Sequence, residues 1–219
     1  MNGSKKIMKR AILCLLAVAL TVSMAKADTL SGALTADNSF IAYLSTSPTV
    51  QGVGIASGTD WGTTYTLTPQ ALTPGTTYYL QIDGHNGIFP DYVGPNAGPG
   101  SIIGSFNLSG SSFQFSNGSQ SLLTDAADWT YSYTAFGAAA ITPTEWGANG
   151  VGPWGTRSGI SGSAQWIWDA NFDYAASDLF FETTITPLTS PIPEPGSLFL
   201  LGSGLLALSG LMARRRRTA

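Results

Sequence analysis

Few side chains in this sequence can do covalent chemistry. His85 is the sole histidine and Cys14 the sole cysteine. A serine nucleophile would need His85 as its base, yet no serine between Asp28 and Ser190 sits in a Gly-x-Ser-x-Gly elbow. His85 falls within Asp83-Gly84-His85-Asn86-Gly87, which reads as a turn, so a solvated turn histidine is expected there. A zinc site would have to complete its ligand set with carboxylates alone. Glycoside hydrolysis needs two carboxylates facing one another, and thirteen Asp and Glu offer many accidental pairs that sequence cannot sort. A non-enzymatic protein is the expectation.

Binding chemistry has more to work with. Asp169-Ala170-Asn171-Phe172-Asp173 carries the D-x-N-x-D spacing that turns alternate oxygens toward one ion, making Asp169, Asn171 and Asp173 candidate calcium ligands. An EF-hand would place Gly and Glu where Tyr174 and Phe180 stand, so a different calcium loop or a plain solvated loop is left, and no other cofactor is expected. Gly150-Val151-Gly152-Pro153-Trp154-Gly155 matches G-x-G-x-x-G, but nothing after it opens a helix to meet a pyrophosphate. Six tryptophans remain. Sugars stack their C–H faces on aromatic rings. Trp61, Trp146 and Trp154 lie among Gly, Asp and Thr in predicted loops and are the candidate carbohydrate-binding residues. Trp166 and Trp168, two apart on a predicted strand, share a face and are expected in the core.

The elements that must position these residues are strands. Residues 28–190 suit one domain with its own core. No apolar 3.6 period runs through them; short alternating stretches recur between Gly and Pro clusters. Phe40 to Leu44, Thr77 to Ile82, Ile102 to Leu108, Asp128 to Ala135, Ala164 to Trp168 and Leu179 to Ile185 are the clearest, with weaker ones at Thr64 to Thr68 and Ser112 to Phe115. About eight strands predict an all-β fold, an antiparallel β-sandwich, with surface loops at 90–100 and 142–162.

The two ends are built differently. Nine of the ten Lys and Arg lie before Asp28 or in the run Arg214-Arg215-Arg216-Arg217, leaving Arg157 alone among thirteen acids. A body so poor in cations cannot neutralise a phosphate backbone, which excludes nucleic acid as a partner. Residues 1–27 read as a signal peptide: Lys5, Lys6, Lys9 and Arg10, an apolar run from Ala11 to Val22, then Ala25-Lys26-Ala27 for a signal peptidase that cuts before Asp28. That run is too short to span a bilayer, and Cys14 lies inside it rather than after it, which argues against a lipoprotein. Removing the leader removes the only cysteine, so the body is expected to fold without a disulfide. At the other end, residues 191–219 hold Pro193-Glu194-Pro195, an uncharged Leu- and Gly-rich run from Gly196 to Ala213, and the four arginines. At 1.5 Å per residue that run reaches about 27 Å, a transmembrane helix for a thin bilayer with its arginines held inside.

This order resembles the PEP-CTERM sorting signal of Gram-negative bacteria. The resemblance implies an exosortase as partner, recognition through Pro193, Glu194 and Pro195, transient residence of the C-terminal helix in the inner membrane, and delivery to the envelope, cell surface or exopolysaccharide-rich matrix. A simple tail anchor is the alternative. The body, through Asp37-Asn38-Ser39-Phe40, Tyr78 to Ile82, Ala164 to Asp169 and Phe180 to Thr183, is similar to galactose-binding-like jelly rolls. That similarity implies a jelly-roll-like sandwich that often binds glycans; a passive structural surface or biofilm component without ligand is the alternative, and a polysaccharide-acting hydrolase a lesser one.

Overall fold

In this computed structural model residues 27–87, 99–171, 177–188 and 203–204 are described. Period-two alternation over short stretches gives thirteen strands among them. They are β1 (Thr29–Asp37), β2 (Ser39–Ser45), β3 (Val53–Gly58), β4 (Tyr65–Thr66), β5 (Gln70–Ala71), β6 (Tyr78–Asn86), β7 (Ser101–Ser109), β8 (Phe113–Phe115), β9 (Ser121–Leu123), β10 (Thr130–Ser132), β11 (Thr144–Ala148), β12 (Gln165–Trp168) and β13 (Ser177–Pro187). Every pairing is antiparallel. One sheet runs β11-β12-β7-β1-β4, with β5 on β1 and β9 on β7; the other runs β10-β13-β6-β2-β3, with β8 on β13.

The sheets face each other across one apolar layer. Leu30 and Leu34 of β1 and Ile102, Phe106 and Leu108 of β7 meet Leu80 and Ile82 of β6 and Leu179, Phe181 and Ile185 of β13. Each set sits at alternate positions, so the pleat itself sorts the apolar side chains inward. Close packing at one end needs a residue without Cβ: at Gly100 a Cβ would stand 2.5 Å from the Trp168 ring. The expected antiparallel β-sandwich is the observed fold.

Three differences have local causes. β1 carries only small and polar residues besides its two leucines, so its alternation is faint, yet it pairs with β7 along all nine positions. The span 142–162 contains β11 as well as loop. Trp166 and Trp168 are both buried but not together: Trp168 packs on Phe181 between the sheets (centroids 5.5 Å apart), whereas Trp166 belongs to a second cluster with Ile103, Trp154, Ile160 and Ala164. Residues 1–26 of the expected leader lie outside the described residues, as does the expected transmembrane helix except for Ser203 and Gly204, which are helical. Among the described residues no helix is long and apolar enough to cross a membrane.

Candidate functional site

The three candidate tryptophans differ in burial: Trp154 is buried, Trp146 half-buried and Trp61 exposed. The chain after β11 folds back over the outer face of the first sheet. Asn149 organises this strap: its Oδ1 accepts from the Arg157 amide (2.6 Å) and its Nδ2 donates to the carbonyls of Arg157 and Ile160 (both 2.9 Å). The strap seats Trp154 flat against Trp166, with centroids 4.8 Å apart, and Trp154 is 2 % exposed. The Trp154 indole N–H donates to Asp37 Oδ2 at 2.9 Å. Burial pushes the Asp37 carboxyl up to about 6, with the indole hydrogen bond pulling the other way. The ring of Trp154, one of the candidate carbohydrate-binding residues, is therefore packed inside the fold.

Trp146, on β11, is half-buried, packs against both clusters, and donates its indole N–H to the Asp169 carbonyl (3.2 Å). Trp61 alone keeps much of its ring outside, at 38 % exposed. Even there the Arg157 guanidinium stands 5.1 Å from the ring centroid and donates to the Trp61 carbonyl. A further bond from Arg157 to the Trp154 carbonyl joins the two loops. The body's single cation is a staple.

Of the calcium triplet, the first residue is drawn into the fold. Asp169 is buried, its Oδ2 accepting from the Tyr133 hydroxyl (3.2 Å) and its Oδ1 from the Asn171 amide (3.0 Å). Asn171 is exposed and Asp173 lies outside the described residues. Among the described residues no group of three or more His, Cys, Asp and Glu is placed to hold a metal ion.

The outer face of the second sheet differs. Its lower part is roofed: Phe136 packs on Tyr43 and Phe180 (centroids 6.1 and 5.2 Å), and Gln81 is buried beneath the 46–52 loop, accepting from the Gly52 amide and donating to Glu182. Above this roof a cleft of about 300 Å³ stays open. Strand register builds it. Ser39 of β2 pairs with His85 of β6, which pairs with Asp178 of β13; one step along, Ile41 pairs with Asp83. These positions alternate with the inward Phe40, Ile82 and Leu179, so all five side chains share the outer face. Ser57 and Thr59, from the end of β3 and just beyond, line the remaining wall.

His85 thus stands in a strand and not in a turn, because β6 continues to Asn86 along β13. Its Nδ1 is hydrogen-bonded to Asp178 Oδ1. The Asp83 carboxyl is pushed up to about 6, first by burial and then by the negative Asp178, while His85 pulls it down. The cleft therefore offers two carboxylates, an imidazole and several hydroxyls around the aliphatic Ile41. These residues come from four separate strand segments, so their convergence carried no local signal in the sequence.

Of the processing residues, Ala25, Pro193, Glu194, Pro195 and Arg214, Arg215, Arg216 and Arg217 lie outside the described residues. Ala27 is exposed and Asp28 buried. Residues 191–217 match the PEP-CTERM protein-sorting motif, a stretch that includes the tripeptide and the four arginines. This motif implies processing by an exosortase, export, and a place in the cell envelope or at the surface. No curated protein and no solved structure matches the chain.

Proposed function

We propose that the sandwich is a non-enzymatic carbohydrate-binding body, taken to the surface by its sorting tail and binding a neutral glycan of the surrounding exopolysaccharide in the cleft of the second sheet. The observation that carries this reading is the convergence of Asp83, Asp178, His85 and Ser39 beside Ile41 on one open face. Adjacent sugar hydroxyls donate to a carboxylate as a pair, and charge-assisted bonds of this kind are about twice as strong as neutral ones. Ile41 supplies an apolar seat for a C–H face. The excess of acids over the single Arg157 disfavours a uronate-rich chain, since like charges across an interface are destabilising.

Retention on immobilised neutral polysaccharides tests the proposal. Asp83→Asn and Asp178→Asn each remove one charged acceptor and are expected to weaken retention about tenfold, on the scale of one charge-assisted hydrogen bond. Trp61→Ala should leave it unchanged. Unchanged retention in both aspartate variants, or loss in Trp61→Ala alone, would overturn the cleft as the site.

A hydrolytic reading has one observation in its favour. Ser39, His85 and Asp178 stand abreast on three neighbouring strands, with the imidazole Nδ1 on the carboxylate as a serine nucleophile's base requires. A serine hydrolase would further need the Ser39 hydroxyl within hydrogen-bond reach of the His85 imidazole. Release of reducing sugar that disappears in Ser39→Ala would replace the binding reading with the enzymatic one.

A further inference from the structure

Both ends of the body leave the sandwich at one pole, and both are tied there to Ser112. The Ser112 amide donates to Asp28 Oδ2 (2.7 Å), and its carbonyl accepts from the Leu188 amide (2.7 Å). Asp28 is held further by the Leu72 amide on its carbonyl (2.8 Å), and a Cβ on Gly110 would stand 1.8 Å from Asp28 Oδ1. The roots of leader and tail are thus fixed side by side by the fold. From Leu188 to Pro193 is five residues, so the tripeptide is within roughly 17 Å of this pole even at full extension.

The pole has a chemistry of its own. Residues 46–52, 67–77 and 109–120 close it, and none of them is Asp, Glu, Lys or Arg. Asp28, which these loops enclose, is buried and hydrogen-bonded. Val50 and Val53 are 61 and 71 % exposed, and both line a groove with Gln70 and Tyr78; Leu188 also shows its side chain to solvent. At the opposite end stand Asp37, Asp60, Asp83 and Asp178. Nine residues of β13 separate Asp178 from Pro187, which is about 30 Å of strand.

We propose that the Ser112 pole is the membrane-facing surface of the body, seated on the lipid headgroups while the tail holds the chain, with the acidic cleft presented about 30 Å away. This rests on the reading of the tail as a membrane-held segment. An uncharged pole approaches the bilayer without stripping water from ions, and exposed Val50, Val53 and Leu188 gain by entering the interface. An anionic leaflet repels the acidic pole and so turns the body the same way.

The test uses the full chain with Cys14→Ser and a fluorophore on either Ser111→Cys or Thr59→Cys, both exposed positions and at opposite poles. Each is reconstituted into phosphatidylethanolamine–phosphatidylglycerol vesicles with and without nitroxide-headgroup lipid. Both forms should float with the vesicles, most of the emission at 111 should be lost to the nitroxide, and emission at 59 should match nitroxide-free vesicles. Adding Val50→Glu and Val53→Glu should restore emission at 111 without loss of flotation. Equal or reversed quenching in floating protein overturns the orientation alone, whether the body tumbles freely or its own tail covers the pole. Failure to float overturns the tail reading, and this one with it.

Discussion

The two outer faces of the sandwich make opposite uses of their side chains. On the first sheet, the strap folds down and turns Trp154 and Trp166 into a second, smaller core. On the second sheet, a roof over Tyr43, Gln81 and Phe180 stops short, and the uncovered end leaves Ser39, Asp83, His85 and Asp178 lining an open cleft. The aromatic-rich face is therefore the closed one, and the polar face is the one with room for a ligand. Aromatic rings in a Gly-rich loop find a packing partner when a sheet face beneath them is apolar, because burying a large ring releases more free energy than leaving it on display.

The largest effect that probes this contrast is at Trp154. Trp154→Ala removes one half of the stacked pair and should destabilise the domain by about 3–5 kcal/mol, as other buried aromatic truncations do. Urea denaturation followed by circular dichroism reads this directly; a change below 1 kcal/mol, on the scale of ordinary surface substitutions, would mean the strap is not a second core.

Next in size is the buried carboxyl beneath the strap. An ordinary aspartate titrates near 3.8, whereas Asp37 is pushed up to about 6 by burial. The folded state thus favours the neutral form, so this contribution to stability is full below about pH 4 and is lost as pH rises through about 6. Asp37→Asn keeps an acceptor for the Trp154 indole without the charge. It should stabilise the protein by about 2–3 kcal/mol at pH 8 and by almost nothing at pH 4, a pKa unit being worth 1.36 kcal/mol. Equal effects at the two pH values would show that the carboxyl is not desolvated.

The smallest effect is expected at Trp61. Its ring and Arg157 form a half-exposed cation–π contact, worth about 0.5–1 kcal/mol at such sites. Trp61→Ala should cost no more than that by the same denaturation measurement. A loss comparable with Trp154→Ala would make the 59–64 loop part of the strap's core as well.

Much of the fold was legible along the chain. Phe40 to Leu44, Thr77 to Ile82 and Leu179 to Ile185 announced β2, β6 and β13 by alternation alone, and Ile102, Phe106 and Leu108 share the inner face their spacing predicts. β1 was not legible, since Thr, Ser, Gly and Ala carry little alternation and the strand is held by its neighbours on both sides. The candidate site was less legible still. Gly84 and Gly87 made His85 look like a turn residue, although Gly84 sits inside a ladder, where its missing Cβ makes room for the Trp168 ring.

What this sequence determined by itself is whatever is local or summed: the period of its strands, the crowding of cations into its two ends, and the order of tripeptide, apolar run and arginines that matches a sorting motif. Tertiary structure decided which tryptophans are covered, which acids and hydroxyls converge, and that Asp28 and Leu188 meet at Ser112. Those outcomes depend on contacts between residues far apart in the chain, such as Asp37 and Trp154, 117 positions apart. Alternation tells a side chain which face to take; only the assembled sheets determine whether anything lies over that face.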